Sequence, residues 1–338
     1  LNIRKKRSIG NLVFLFRFRY GNIMDSVREI GLVFAGGGAK GAYQIGVWQA
    51  LRMFGMETYI TATSGTSIGA MNGCMYGYGN LEKAVEMWRH VSKEDILYVD
   101  KDEVRNIRER IRRGLPTLKG GRAGDIPYLP PAKNRISLFS RERLERMIRS
   151  VLTDPVLQQS PVKCYATCYG GKTQTARSFL LNNLPKENAT RVLTATSAIP
   201  LVFSPVELGG EPCFDGGLGD NVPVRPLYEL GYRNFIIVYL AQRDYVDKTA
   251  FPGSHFVEII PSVSLGDFFS GTLNFNQEAI DGHKEQGFQD AVAIFSKYHN
   301  VGELFLGERG KEPLDTELKL KKYTKLLFGE AIKGIVKH

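Results

Sequence analysis

Gly31-Leu32-Val33-Phe34-Ala35-Gly36-Gly37-Gly38-Ala39-Lys40-Gly41 opens the stretch, running to Asn72, whose reading decides the fold. Five residues without a charge break into a glycine turn, after which Ala42, Ile45, Val47, Ala50 and Leu51 recur at helical spacing; this predicts strand, loop and helix. Glycines crowd a strand-to-helix turn where backbone N–H groups must approach a ligand that any Cβ would obstruct, so the loop suits negative charge. Tyr59-Ile60-Thr61-Ala62-Thr63 predicts a second strand, and Gly65-Thr66-Ser67-Ile68-Gly69 then fits the G-x-S-x-G nucleophile elbow. There the flanking glycines Gly65 and Gly69 relieve the clashes of a tight strand-to-helix turn, and Ser67 is the candidate nucleophile.

A lone G-x-S-x-G is a weak signal among 36 glycines, and by itself it reads as an ordinary glycine turn. It gains weight from Phe214-Asp215-Gly216-Gly217, a carboxylate in a second glycine turn, followed by Leu218-Gly219-Asp220-Asn221-Val222-Pro223-Val224. A hydroxyl, an acid and an anion-binding loop thus form a set.

In that order these motifs resemble the patatin-like phospholipase family, as do Ser197-Ala198-Ile199-Pro200 and Asn221-x-Pro223, over about residues 30–240. The resemblance implies a three-layer α/β/α fold with a mostly parallel central sheet. It also implies a lipid acyl hydrolase, of phospholipase A type or a general carboxylester lipase, working through a Ser67–Asp215 dyad without histidine. The loop residues Gly36, Gly37, Gly38, Lys40 and Gly41 then form the oxyanion and substrate-binding site, and Gly216 and Gly217 belong to the Asp-Gly-Gly motif. Lys40 orients the loop or an anionic headgroup on this reading, or simply faces solvent in the first helical turn.

With 338 residues, a 43% hydrophobic content and a mean hydropathy of −0.19, the chain suits one large globular α/β domain. No apolar run approaches the roughly 20 residues of a membrane-spanning helix. A net charge of +10 fits an anionic partner without choosing among them. Residues 1–24 carry Arg4, Lys5, Lys6 and Arg7 before a short apolar run, but that run is soon interrupted by Arg17 and no small-residue cleavage site follows. They read as a basic arm, disordered or a start-site artefact, with a membrane-surface helix as the other reading. Residues 25–310 are expected to form the catalytic domain and 311–338 a helical tail. A basic, Pro/Gly-rich insertion at about 95–135 carries Arg105, Arg108, Arg112, Arg113, Lys119 and Arg122; it reads as a lid touching anionic membrane or as a solvated face.

Helices are expected over 68–78, 81–88, 141–152 (capped by Ser140), 186–197 and 277–298, with strands over 162–169, 175–181, 235–240 and 256–260. Cys74, Cys164, Cys168 and Cys213 show no C-x-x-C pair and no histidine at zinc-like spacing, so they predict buried free thiols, a reducing, cytoplasmic setting, no metal and no cofactor. His90, His255, His283, His299 and His338 are scattered and read as surface or satisfied core residues. A conventional Ser-Asp-His esterase remains the alternative, since His255 and His283 follow Asp215 in the order such enzymes use. Less favoured is a dinucleotide-binding protein, because Gly36 to Gly41 also satisfies G-x-G-x-x-G; there Glu57, the acid nearest the second strand, lies at its wrong end. A lipid ester substrate and peripheral contact with an anionic membrane are the expected partners, and no nucleic acid is. Asp220 is the reserve base.

Overall fold

A computed structural model describes residues 29–92, 142–152, 156–200, 202–298 and 304–305. The arm 1–24, the insertion at 95–135 with its basic cluster, Ser140, His299, His338 and the tail 311–338 lie outside these residues. The opening reads as expected: β1 (Ile30–Phe34), a 3-10 turn (Gly38–Gly41) and α1 (Ala42–Met53). β2 (Ile60–Thr66) then enters α2 (Ile68–Gly77) with Ser67 alone between them. β2 runs past the expected end at Thr63 because it pairs on both sides. Gly65 stands opposite Phe34 of β1 and Ala166 of β3 (Lys163–Gly170), and two ladders carry a glycine that would weaken an edge strand.

α3 (Leu81–His90) starts at Asn80, whose side chain accepts the Lys83 N–H, and α4 (Glu142–Val151) follows the basic insertion. Next come β3, β4 (Ala176–Leu180), α5 (Lys186–Thr196), the hairpin of β5 (Val206–Leu208) and β6 (Glu211–Asp215), and α6 (Arg225–Glu229). β7 (Asn234–Val238), β8 (His255–Ile259) and α7 (Gln277–Phe295) end the described fold.

One eight-stranded sheet has the order β5-β6-β3-β2-β1-β7-β8, with β4 also on β3. Its body from β3 to β8 is parallel, and β4, β5 and β6 add antiparallel pairs at one side. All five residues of β1 are buried, which requires helices on both faces of the sheet and gives the three-layer α/β/α architecture. α7 packs along α1 at near-backbone contact: a Cβ on Gly46 would lie 1.8 Å from the Lys284 carbonyl oxygen, and one on Gly287 2.0 Å from that of Tyr43. The four cysteines are free and buried. Among the described residues no helix is long and apolar enough to cross a membrane.

Candidate active site

Ser67 has φ 55° and ψ −124°, a backbone state that a residue with a side chain holds only where its surroundings impose it, at about 1–3 kcal/mol. Its N–H donates to Thr196 Oγ1 at 2.8 Å, and the Thr196 hydroxyl donates in turn to the Thr167 carbonyl. On the other side, the Ser67 carbonyl accepts the N–H groups of Ala70 and Met71 at 3.0 and 3.3 Å, which starts α2. The turn is tight enough that a Cβ on Gly65 would lie 2.3 Å from the Gly69 carbonyl carbon, and one on Gly69 2.3 Å from the Phe34 oxygen. Both elbow glycines are therefore required by space.

The register of β3 brings the acid to this elbow. Thr167 is paired with Thr66, the last residue of β2, while the next residue, Cys168, is paired with Asp215, the last residue of β6. Ser67 and Asp215 thus leave the sheet at the same level on either side of β3, although 148 positions separate them in sequence. Asp215 is buried, 7% exposed; its Oδ1 accepts the Gly217 N–H at 2.8 Å and its N–H donates to the Ala198 carbonyl at 3.0 Å. Gly216 presses on the Thr167 carbonyl, where a Cβ would lie at 2.2 Å. Loss of water pushes the Asp215 carboxyl from its ordinary 3.8 up to about 6, against the smaller opposing pull of the Gly217 N–H and the Ser67 hydroxyl. No described histidine acts on this carboxyl. His90 and His255 are exposed, and His283 on α7 meets the backbone of Ala39 and Leu265 instead, its pKa lowered by burial. Asp220 lies on another cleft, which Ser67 does not line; its pKa is raised by burial while its Oδ1 accepts the Val222 N–H at 3.2 Å.

The glycine loop divides its residues between two jobs. The Gly36 N–H donates to the Asn221 carbonyl at 3.1 Å, and the Asn221 side chain returns Nδ2 to the Gly36 carbonyl at 3.4 Å and to Asp244 Oδ2 at 3.2 Å. Gly36 is therefore anchored, and its amide is occupied. Gly38 instead lines the same recess as Ser67, at φ +57°, with Thr272 so close that a Cβ would lie 2.2 Å from its carbonyl oxygen. The solvent-facing reading of Lys40 is corrected, because its side chain is buried. Desolvation lowers its pKa, and the nearby Asp244 carboxylate partly opposes that. Gly41 is pinned through its carbonyl by Asn72 Nδ2 at 2.9 Å.

Thr196, Asn221 and Asp244 are positioning residues that sequence reasoning did not single out by role. Asn221 had a signal, its place in Asn221-x-Pro223; Thr196 had none beyond standing next to Ser197-Ala198. The strap 220–221 also receives the Thr66 hydroxyl on the Asp220 carbonyl at 2.7 Å, so it ties the elbow, the glycine loop and the acid turn together.

Beside Ser67 and Gly38 a small recess of about 50 Å³ is walled, among the described residues, by apolar side chains that include Met71, Met87, Trp88, Leu144, Phe203 and Phe275. A strained hydroxyl, a desolvated carboxylate and glycine amides around an apolar recess are suited to ester chemistry on an apolar acyl group. Glu57, the acid weighed for a dinucleotide ribose, is engaged by Trp48 Nε1 at 2.5 Å and Arg52 Nε at 2.9 Å.

Residues 32–228 match the family model described as patatin-like phospholipase. An uncharacterized NTE family protein of Mycobacterium tuberculosis is 24% identical over 203 residues, covering 60% of this chain and 46% of its own length. Lysophospholipase NTE1 of Cryptococcus neoformans is 26% identical over 229 residues, covering 66% of this chain and 12% of its own. The chain thus spans less than half the length of either relative. Among solved structures, VipD from Legionella pneumophila superposes with a TM-score of 0.39 at 15% identity, covering 79% of this chain and 66% of that one. The family match runs from within β1 into α6 and takes in more than half of the 338 residues, so the chain belongs to the patatin-like phospholipase family.

Proposed function

We propose that this chain hydrolyses carboxylic esters of lipids, with Ser67 as nucleophile and Asp215 as the general base, and that it needs no histidine. The observation that carries the reading is the Asp215 carboxyl, desolvated beside the strained Ser67 with a pKa near 6. An ordinary aspartate is too weak a base for a serine hydroxyl, and burial narrows that gap while leaving the group mostly ionised at pH 7.

Ser67 Oγ attacks the ester carbonyl carbon as its proton passes to Asp215. The carbonyl oxygen, now negative, is met by the amides of Gly38 and Gly37 at the turn preceding α1, with the N-terminal end of α2 adding a favourable dipole. Collapse of the tetrahedral centre breaks the bond to the alcohol or lysolipid, which leaves with the proton from Asp215. Water then attacks the acyl-serine, gives its proton to Asp215, and frees the fatty acid as Ser67 Oγ recovers that proton. The apolar recess beside Ser67 favours a fatty acyl group over a polar one.

Hydrolysis of a soluble short-chain ester and of phospholipid by the full chain tests the reading. Ser67→Ala and Asp215→Asn are each expected to remove nearly all activity, with little further loss in the double variant, because members of one catalytic unit are not additive. Alanine at His90, His255 or His283 is expected to leave most of it. A loss of about 1,000-fold at any one of these histidines, with stability unchanged, means a conventional triad and a misassigned base.

A further inference from the structure

On the lipid-ester reading above, we infer that the turn bearing Phe268 and Phe269 is a bilayer anchor, which inserts into the lipid surface and holds the mouth of the Ser67 recess against it. Phe269 is 78% exposed and Phe268 40%, and Val263 on the same loop is 65% exposed. Large apolar side chains grouped this way on one loop mark an interaction surface. The two rings meet edge to face at 5.4 Å, so they form one apolar knob.

The turn is held firmly from below. Asp267 Oδ1 accepts the N–H groups of Phe269 and Ser270, both at 2.8 Å, and the Ser270 hydroxyl accepts the Asp267 N–H at 3.0 Å, a closed cap on a single π-helical turn, Phe268–Thr272. Gly266 and Gly271 are packed backbone to backbone beneath it, leaving no room for a Cβ on either. Two phenylalanines on a rigid turn lose little conformational freedom on insertion, which favours their transfer into an acyl phase.

The occupant follows from continuity. The same segment continues as Thr272, Leu273 and Phe275, which line the recess with Ser67 and Gly38, and the Thr272 carbonyl abuts Gly38. An apolar knob that runs directly into an apolar acyl recess suits a surface that supplies acyl chains. A second protein copy would instead seal the mouth. The Asp267 charge does not oppose insertion strongly, since it is already met by three donors of its own turn.

The test uses the full chain and phosphatidylcholine vesicles. Phe269→Trp serves as a probe, because the two native tryptophans, Trp48 and Trp88, are buried. Its emission is expected to shift to the blue when vesicles are added, and to be quenched by lipids brominated along the acyl chain. The double variant Phe268→Ala/Phe269→Ala is expected to lower vesicle partitioning by roughly tenfold or more and hydrolysis of vesicle phospholipid with it. Hydrolysis of a soluble short-chain ester should stay near wild type. Emission from the vesicle-bound Phe269→Trp variant that is neither shifted nor quenched overturns the anchor, as does an equal loss on both substrates in the double variant. A blue shift that rises with protein concentration in the absence of lipid assigns the knob to a second copy and also overturns it. If the wild-type chain hydrolyses no ester, the catalytic reading fails, while the fluorescence and partitioning still decide the anchor.

Discussion

Replacing Asp215 by asparagine should abolish the chemistry and stabilise the fold. Burial raises this carboxyl from 3.8 to about 6. The folded state therefore binds its proton more tightly than the unfolded state does, and holding the group ionised is a burden on folding. At roughly 1.4 kcal/mol per pH unit, that burden is about 3 kcal/mol at pH 7. It is fully present above the folded value and fades as pH falls through the window from about 6 to 3.8, because the folded protein then takes up the proton first. Asparagine has the same shape without the charge, and its amide oxygen can still accept the Gly217 N–H. Denaturant melts of wild type and Asp215→Asn at pH 7 should show the variant more stable by about 1–3 kcal/mol, with the advantage largely gone near pH 4. In the same window the wild-type kcat/KM should fall about tenfold for each pH unit below 6. A variant less stable than wild type at pH 7, an advantage that ignores pH, or an acid limb near pH 4 would each refute desolvation as the source of the base's strength.

Three substitutions examine the supports of the site. Thr196→Val leaves the buried Ser67 N–H and Thr167 carbonyl unpaired, so thermal or denaturant melts should show a loss of about 1–3 kcal/mol, with kcat falling and Thr196→Ser restoring both; equal stability in valine and serine variants removes Thr196 from the elbow. Gly38→Ala pushes a methyl to 2.2 Å from the Thr272 oxygen at a positive φ, and ester hydrolysis should drop by about 100-fold or more in folded protein, whereas near-normal turnover excludes Gly38 as an oxyanion donor. Asn221→Ala removes the side-chain tie to Gly36 and Asp244, and kcat should fall roughly tenfold with KM little changed; a change in KM alone means that the tie serves binding.

What could be read in the sequence was local. Gly31 to Asn72 carries its own instructions: apolar runs of strand length, glycines at each break, and helical spacing afterwards, so β1, α1, β2 and α2 follow within a few residues. Phe235 to Leu240 likewise announces a strand buried on both faces, and β7 pairs on both sides. The hairpin of β5 and β6 was less legible. Gly209-Gly210 marks a turn, but three- and five-residue strands have too little pattern to reveal that β6 also pairs with the end of β3. That pairing is what carries Asp215 to Ser67. The motifs therefore singled out both residues as candidates, while the geometry joining them depends on a register that no local pattern encodes.

The supports of the site were hidden for a related reason. Thr196 acts through one hydroxyl on the backbone of a residue 129 positions away, and a threonine at the end of a helix has many ordinary explanations. Between orienting the loop or a headgroup and facing solvent, the sequence could not choose for Lys40. In the fold, the chain around Asp244 and Asp267 comes over it from about 200 residues later, and burial with those carboxylates sets its environment. The same return of the chain supplies Asn221 to Gly36 and Thr272 to Gly38. The glycine loop is consequently shaped less by its own sequence than by two later segments, one holding its start and the other pressing on its end. A change in either segment can alter where the Gly38 amide points without touching Ser67 or Asp215. The Thr272 segment is also the one that leads from Phe268 and Phe269, so a displacement at that turn has a short, packed route to the glycine loop.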